Sequence, residues 1–382
     1  MKSIGSISEI QTMQTVNSKD EESKRTLLRK EKPYAFEKIM RFDEKVRRGE
    51  SIAIIQLQYN YACNMTCRHC SIKGLQEQKN GNRRKMTPEA VKELARQADE
   101  MGLARFEING GEPFVNRDYD EMVAAIDPQK FYINSVTNGW LLDDNRARHI
   151  KDLGVDRIQV SVDSLNAEQH DDFRQCKGAH ARALRAVEAS RNAGMAVFVS
   201  TVVTKQRLYS AEFIEFVNYF NGRDIGVFMT FAKPVGAWQG KYDMLVDPED
   251  LKYVEQLQTQ HKVFSHLTPA YGLNLGCTAV KGMVCVTQYG DVLPCQYIFV
   301  SLGNIFEEPL ATIIQRGLKI KWFGEHLDVC PIAHDRHFID KYIAGRVYKK
   351  PQPVPHYEVF TDEDETKSPF NLALQPLKPE GC

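Results

Sequence analysis

From Ile52 to Phe231 the hydrophobic positions switch repeatedly between two periods. Apolar stretches of strand character predict strands over 53–59, Arg105–Asn109, Phe131–Val136, Arg157–Val162, Val197–Val203 and Val227–Phe231. Between them, helices are predicted from Thr87 to about Met101 and over Tyr119–Ile126, Asp143–Leu153, His180–Ala193 and Ser210–Phe220. Thr87 supplies an N-cap and Pro88 suits a first helical turn, where its missing N–H costs nothing. Six β-α repeats imply parallel strands, because a parallel neighbour needs a crossover helix. The fold class expected is α/β, a partial (β/α)6 TIM-like barrel, with its chemistry at the C-terminal ends of the strands.

The pattern changes on both sides of this block. Residues 1–50 form a polar tail followed by an amphipathic helix, in which Phe36, Ile39, Met40 and Val46 make the apolar stripe and Tyr34 and Phe42 fit less well. Residues 51–232 are the barrel. Residues 233–275 are a bridging stretch marked by Pro234, Gly236, Gly240 and Pro248, with a helix near Pro248–Gln260. Residues 276–348 form a small α+β unit: a hairpin over Met283–Cys295 turning at Tyr289-Gly290-Asp291, and a helix near Pro309–Arg316. Residues 349–382, rich in proline and acids, are expected to hug the surface or stay disordered.

Composition narrows the class. The 382 residues carry no net formal charge, so nothing recommends nucleic acid or an anionic membrane as partner. A 42 % hydrophobic content furnishes a real core. No apolar run approaches a membrane span, and Met1–Lys32 has no secretory h-region. Nine cysteines without a secretory signal point to a reducing compartment, the cytoplasm by default, where thiols bind metals rather than pair.

The concentrated chemistry is Cys63-Asn64-Met65-Thr66-Cys67-Arg68-His69-Cys70, directly after the first strand. Three thiols leave a tetrahedral zinc one ligand short, whereas a cubic iron–sulfur cluster on three thiolates keeps one iron open. This C-x-x-x-C-x-x-C spacing resembles the signature of the radical S-adenosylmethionine (SAM) enzymes, with His69 at an aromatic position before the third cysteine. Asn109-Gly110-Gly111-Glu112-Pro113 ends the second strand; as a plain turn it would carry no message, but after such a loop it is similar to the family's GGEP motif. The resemblance implies that Gly110, Gly111 and Glu112 hold the amino group of SAM. Thr137-Asn138-Gly139 and Ser161-Val162-Asp163, with Arg174 later, resemble segments that touch its ribose and carboxylate, which implies roles for Asn138, Ser161 and Arg174. Asp163 either joins them or bonds loop amides.

Cys277, Gly290 and Cys295 resemble the opening of the family's SPASM or shorter twitch extensions, with Cys330 as a later ligand. No C-x-x-C-x5-C-x3-C run follows, which implies one auxiliary 4Fe-4S cluster rather than two. Its fourth site is open among Cys285, His334, Asp335 and a bound substrate. Cys285, beside Val286 in an alternating strand, also reads as a buried apolar thiol, and a structural zinc finger is the competing reading of the group. Cys176 stands apart; as a free thiol near the barrel mouth it could return a hydrogen atom to a substrate radical, or simply pack. Trp238, Tyr242 and Tyr271 either shape a pocket over the mouth or fill a junction. Cys382, at the terminus, is incidental.

The resemblance implies this mechanism. A 4Fe-4S cluster on Cys63, Cys67 and Cys70 chelates SAM, and one electron from an external donor such as flavodoxin or ferredoxin cleaves the sulfonium. The 5′-deoxyadenosyl radical then takes a hydrogen atom from an unactivated C–H bond. One reduced extension suits a small-molecule substrate such as a sugar, nucleoside or other metabolite. The competing readings are maturation of a ribosomally made peptide and a non-enzymatic zinc-binding adaptor.

Overall fold

A computed structural model of the chain describes residues 23, 25–78, 81–270 and 273–366. Its centre is a sheet of ten strands. The barrel supplies β1 (Ile54–Gln58), β2 (Arg105–Ile108), β3 (Tyr132–Thr137), β4 (Arg157–Ser161), β5 (Ala196–Val203) and β6 (Gly226–Phe231). These run parallel and in chain order, with Ile55 opposite Phe106 at one end and Val199 opposite Val227 at the other. The bridging stretch adds β7 (Val263–Phe264), parallel to β6.

The small C-terminal unit joins the same sheet on its other flank. β8 (Met283–Thr287) pairs parallel with β1, from Ile54 opposite Met283 to Gln58 opposite Thr287. β9 (Asp291–Leu293) returns antiparallel through the Gly290 turn. Two further short strands are β10 (Val300–Ser301) and β11 (Gly303–Asn304), and β11 completes that edge. The order therefore ends on β11 and β7, an open sheet rather than a closed barrel.

The two faces of the sheet differ, because side chains alternate with period two. Ile55, Leu57, Phe106, Ile108, Ile158, Val160, Val199 and Val227 are fully buried on the helix side. Gln56, Gln58, Glu107, Gln159, Ser161, Ser200 and Thr230 face inward and line one cavity. Residues from β1 to β7 share that cavity, so the sheet wraps partly around it: the expected partial barrel. Helices Pro88–Glu100, Tyr119–Ile126, Asp144–Asp152, Ala179–Asn192 and Ala211–Asn221 cover the outer face within about two residues of expectation. Thr87, Asp143 and Ser210 cap three of them by accepting N–H bonds. The helices Ala167–Arg174 and Ile339–Val347 were not expected.

The N-terminal helix breaks at Arg41 into Pro33–Met40 and Phe42–Arg47. The break resets the helical phase. Met40 is 52 % exposed, while Phe42 and Val46 pack with Ile52 and Ala104. Buried Lys32 donates to the carbonyls of Phe131 and Gly154 and pairs with Asp156 at 2.6 Å, tying this segment to two barrel loops. Of the C-terminal tail, residues 349–366 are described and the rest, with Cys382, lie outside the described residues. The described part is ordered into the core: β12 (Val354–Pro355) pairs with β10, and Val359 and Phe360 are buried. Among the described residues no helix is long and apolar enough to cross a membrane.

The Phe360 ring meets Phe323 edge-on at 5.5 Å and Tyr342 at 5.2 Å. Phe360→Ala is expected to destabilise the protein by about 3 kcal/mol, through lost burial and the cavity left behind. Denaturant unfolding under anaerobic conditions measures this; an unchanged midpoint would mean the tail does not belong to the core.

Candidate active site: two sets of thiols on one cavity

One cavity of about 450 Å³ runs along the inner face of the barrel, from the first residues of the strands, such as Ile54, Arg105 and Arg157, to the loops after their C-terminal ends. It is lined by Cys63, Cys67 and Cys70 and also by Cys277, Cys295 and Cys330, all six free thiols. The structure thus gathers residues from 63 to 330 around one cavity, with His69, Gly110, Gly111, Glu112, Asn138, Ser161 and Arg174 among them.

The first set sits on the loop after β1. That loop is irregular, so its backbone groups need partners from elsewhere. The glycine pair after β2 supplies them: Gly111 N donates to Asn60 O at 3.0 Å and Glu112 N to Ala62 O at 2.8 Å. A Cβ on Gly110 would lie 2.4 Å from Asn60 O, and one on Gly111 would lie 2.0 Å from Ala62 O. What the missing side chains admit here is the cysteine loop itself. Further on, Arg68 N donates to Phe173 O, Arg68 pairs with Asp172, and Ala237 N donates to Cys70 O. Burial pushes the Cys63 thiol up to about 11 and raises Cys70 as well. An electropositive partner such as a cluster iron would reverse this, since it binds the thiolate.

Glu112 is buried and accepts from Thr137 Oγ1 and Asn138 N, both at 2.7 Å, and from Phe114 N at 3.3 Å. Burial outweighs these donors and pushes its carboxyl up to about 7. Asn138 Nδ2 donates to Asn64 Oδ1 at 2.8 Å, so the end of β3 also braces the cysteine loop. Arg174, on the last turn of Ala167–Arg174, gives Nε to Asp163 at 2.7 Å and directs Nη1 at Cys67 Sγ, 3.9 Å away. Asp163 in turn accepts from Val202 N at 3.1 Å. Burial would raise the Asp163 carboxyl, but the Arg174 guanidinium, with Arg207 further off, brings it well below the usual carboxylate range. The His69 ring stacks on Phe173 at 4.2 Å, and burial lowers it to about 3, so it is neutral.

In the second set, Cys277, Cys295 and Cys330 are buried. A bond from the Cys330 thiol, with Lys281 nearby, brings Cys277 down to about 6. Lys233 lies buried beside all three thiols; it donates to Phe231 O at 2.8 Å and sits 4.2 Å over the Tyr297 ring. Cys285 is fully buried between β1 and β9 and does not line the cavity among the described residues, as its apolar setting suggested. His334 Nδ1 accepts from Cys330 N, and Asp335 caps Phe338 N. A residue absent from the expectations, His266, has a ring nitrogen within 4.8 Å of the sulfurs of Cys277 and Cys330. No local pattern marks it: it is one histidine after a two-residue strand.

Cys176 does not join the cavity among the described residues; it lies just past Arg174, bonded through its N–H to Asp171 O. Trp238 lines the cavity, Tyr242 does not among the described residues, and Tyr271 lies outside them.

An α/β partial barrel with three thiols on the loop after its first strand defines a cluster-type site at the strand ends. Comparison with known proteins sharpens that class. Residues 57–218 match the Radical SAM superfamily, and residues 277–334 match SPASM, an iron-sulfur cluster-binding domain. A probable GTP 3′,8-cyclase of Methanocella arvoryzae is 29 % identical over 177 residues, 46 % of this chain and 56 % of that relative. An AdoMet-dependent heme synthase of Methanosarcina barkeri is 27 % identical over 290 residues, 68 % of this chain and 81 % of the relative. The chain thus spans little more than half of the first of these relatives. Among solved structures, Streptococcus suis SuiB bound to its precursor peptide SuiA superposes with TM-score 0.56 at 18 % identity, covering 72 % of this chain and 67 % of that one. Native anSMEcpe with bound AdoMet gives 0.53 at 18 % identity, over 69 % and 80 %.

The chain belongs to the radical SAM superfamily and carries a SPASM-type domain. The cofactor set of these two domains is SAM with a 4Fe-4S cluster, plus auxiliary iron–sulfur. The residues present fit it: three free thiols on one loop, a buried second set, and polar groups between strand ends on one cavity.

Gly111→Ala forces a methyl into the cysteine loop. Anaerobic reconstitution is expected to load about four irons per chain instead of about eight, with the second site still filled. Full loading would show that the loop does not rest on this contact.

Proposed function

We propose that the protein is a radical SAM enzyme acting on a small, polar, donor-rich molecule such as a sugar or nucleoside. In this reading residues 51–232 form the SAM-binding unit and 276–348 the auxiliary-cluster unit. Cys63, Cys67 and Cys70 hold the first cluster, and Cys277, Cys295 and Cys330 hold the second. Once bound, the first cluster and SAM supply a 5′-deoxyadenosyl radical that removes a hydrogen atom from the substrate.

The chain's own part is positioning and exclusion of water. Glu112 offers a carboxylate to an ammonium, and Arg174, with Nε on Asp163 and Nη1 toward Cys67, has Nη2 left for a carboxylate. Ser161 and Asn138 offer hydroxyl and amide groups on the same rim. His69, stacked on Phe173 and neutral, adds its ring to the cavity lining. The electron comes from an external donor such as flavodoxin or ferredoxin.

One observation carries the substrate class. Among the described residues Gln56 Oε1, Gln58 Oε1 and Asn109 Oδ1 are buried without hydrogen-bond partners, and all three residues line the cavity. Each unpaired acceptor costs about 1–3 kcal/mol, an expense relieved by a ligand that brings several O–H or N–H donors. The names of the curated relatives, a GTP cyclase and a heme synthase, also speak of small molecules. A peptide substrate draws support from the likeness to SuiB with its precursor peptide bound, but at 18 % identity that is a likeness of fold.

With SAM and dithionite, wild-type protein is expected to form 5′-deoxyadenosine, stimulated by a polyol or nucleoside from a metabolite panel. Cys67→Ala should lose this product while keeping the auxiliary iron, and Gln58→Leu should raise KM for the stimulating molecule. Stimulation by peptides alone would overturn the substrate class, and undiminished product from Cys67→Ala would overturn the enzyme reading.

A further inference from the structure

We infer that His266, through Nε2, is the fourth protein ligand of the auxiliary cluster held by Cys277, Cys295 and Cys330. The inference rests on the reading of those three thiols as cluster ligands. Three of the four cluster irons then have cysteine sulfur and the fourth has imidazole nitrogen, leaving no open corner for substrate.

Two independent observations support it. First, among the described residues the ligand atoms of His266, Cys277 and Cys330 lie within 4.8 Å of one another, and Cys295 lines the same cavity. Second, His266 Nε2 is buried with no hydrogen-bond partner among the described residues. A buried, unpaired ring nitrogen beside thiols is costly unless something binds it, and imidazole is a good ligand for iron.

The backbone holds the residue in place. His266 follows β7 in a turn closed by Ser265 N to Thr268 Oγ1 at 2.8 Å, Leu267 N to Ser265 Oγ at 3.2 Å and Thr268 N to Ser265 O at 3.1 Å. Gln258 Nε2 donates to Thr268 Oγ1 and ties the turn to the preceding helix. The short strand β7 thereby extends the barrel sheet far enough to carry a histidine across to the C-terminal thiols. Two other candidates are engaged elsewhere: Asp335 caps a helix, and Cys285 is locked between two strands of the sheet. His334 accepts from Cys330 N at Nδ1 and also has a buried, unpaired Nε2, but among the described residues only His266 has its ligand atom grouped with those of Cys277 and Cys330, so His334 serves as the control.

The test uses full-length protein reconstituted anaerobically without SAM, in wild type and in Cys63→Ala/Cys67→Ala/Cys70→Ala, which keeps only the auxiliary site. Iron, sulfide and zinc are counted, and the reduced cluster is examined by pulsed paramagnetic resonance with 14N- and 15N-histidine labelling. The expected result is about four irons per chain in the triple variant and a strong nitrogen coupling that follows the histidine isotope. The coupling should vanish in His266→Cys, whose cluster should become harder to reduce, and persist in His334→Ala. A four-iron cluster without nitrogen coupling, or one whose coupling survives in His266→Cys, overturns the ligand assignment and leaves the cluster reading intact. A triple variant that holds zinc or no iron overturns the cluster reading itself. The labelled wild type needs no substitution at position 266, so a misfolded variant does not blunt the result.

Discussion

Everything in this architecture depends on a contact between two stretches of main chain. The loop of Cys63–Cys70 must stay irregular to aim three thiols into one space, and so it cannot satisfy itself by helix or strand bonds. Its support comes from the end of β2, where Gly110 and Gly111 let the backbones approach within hydrogen-bond distance. Neighbouring strand ends add to that support: Asn138 after β3 reaches Asn64, and Arg174, fixed by Asp163 after β4, reaches Cys67. The residues that resemble SAM contacts are thus also the residues that build the cysteine loop. Site and scaffold are one network of buried polar bonds, which rewards completeness and punishes any missing member.

The second constraint is the parallel pairing of β8 with β1. It makes the C-terminal unit a continuation of the barrel wall rather than a separate body hung from a linker. Cys277, Cys295 and Cys330 therefore face the same cavity as the first loop, and β7 closes in from the opposite edge. The polar inner face between them is unusual for a parallel sheet, which is ordinarily apolar on both sides. Gln56, Gln58, Glu107 and Asn134 crowd that face: Gln56 and Asn134 both donate to Glu107, and the acceptors left over on the two glutamines face the cavity.

Much of this was legible in the chain. The strand and helix periods of 53–231 appear where expected because each element is long enough for its pattern to repeat, and caps such as Thr87, Asp143 and Ser210 mark the helix starts. The cysteine loop and the glycine pair are contiguous motifs, so local reading finds them. What escaped has no local signal. Residues 54–58 and 283–287 pair across the whole barrel, and no pattern in either announces the other. Helix Ala167–Arg174 is short and polar, with only His170 and Arg174 buried, so no apolar stripe betrays it. Met40 and Phe42 exchanged places because a helix break at Arg41 shifted the phase. His266 meets Cys277 and Cys330 only through the curvature of the sheet, and Cys176, near in sequence to Arg174, turns out to lie off the cavity wall.

In the proposed enzyme the β1 loop holds a cluster with one iron corner accessible from the cavity. The most direct measurement of this is the paramagnetic resonance spectrum of the reduced Cys277→Ala/Cys295→Ala/Cys330→Ala protein before and after adding SAM carrying a 15N-labelled amino group. Altered g values and a new nitrogen coupling, which reports SAM on that corner, are the expected result. An unchanged spectrum in protein that still carries its iron would contradict this arrangement.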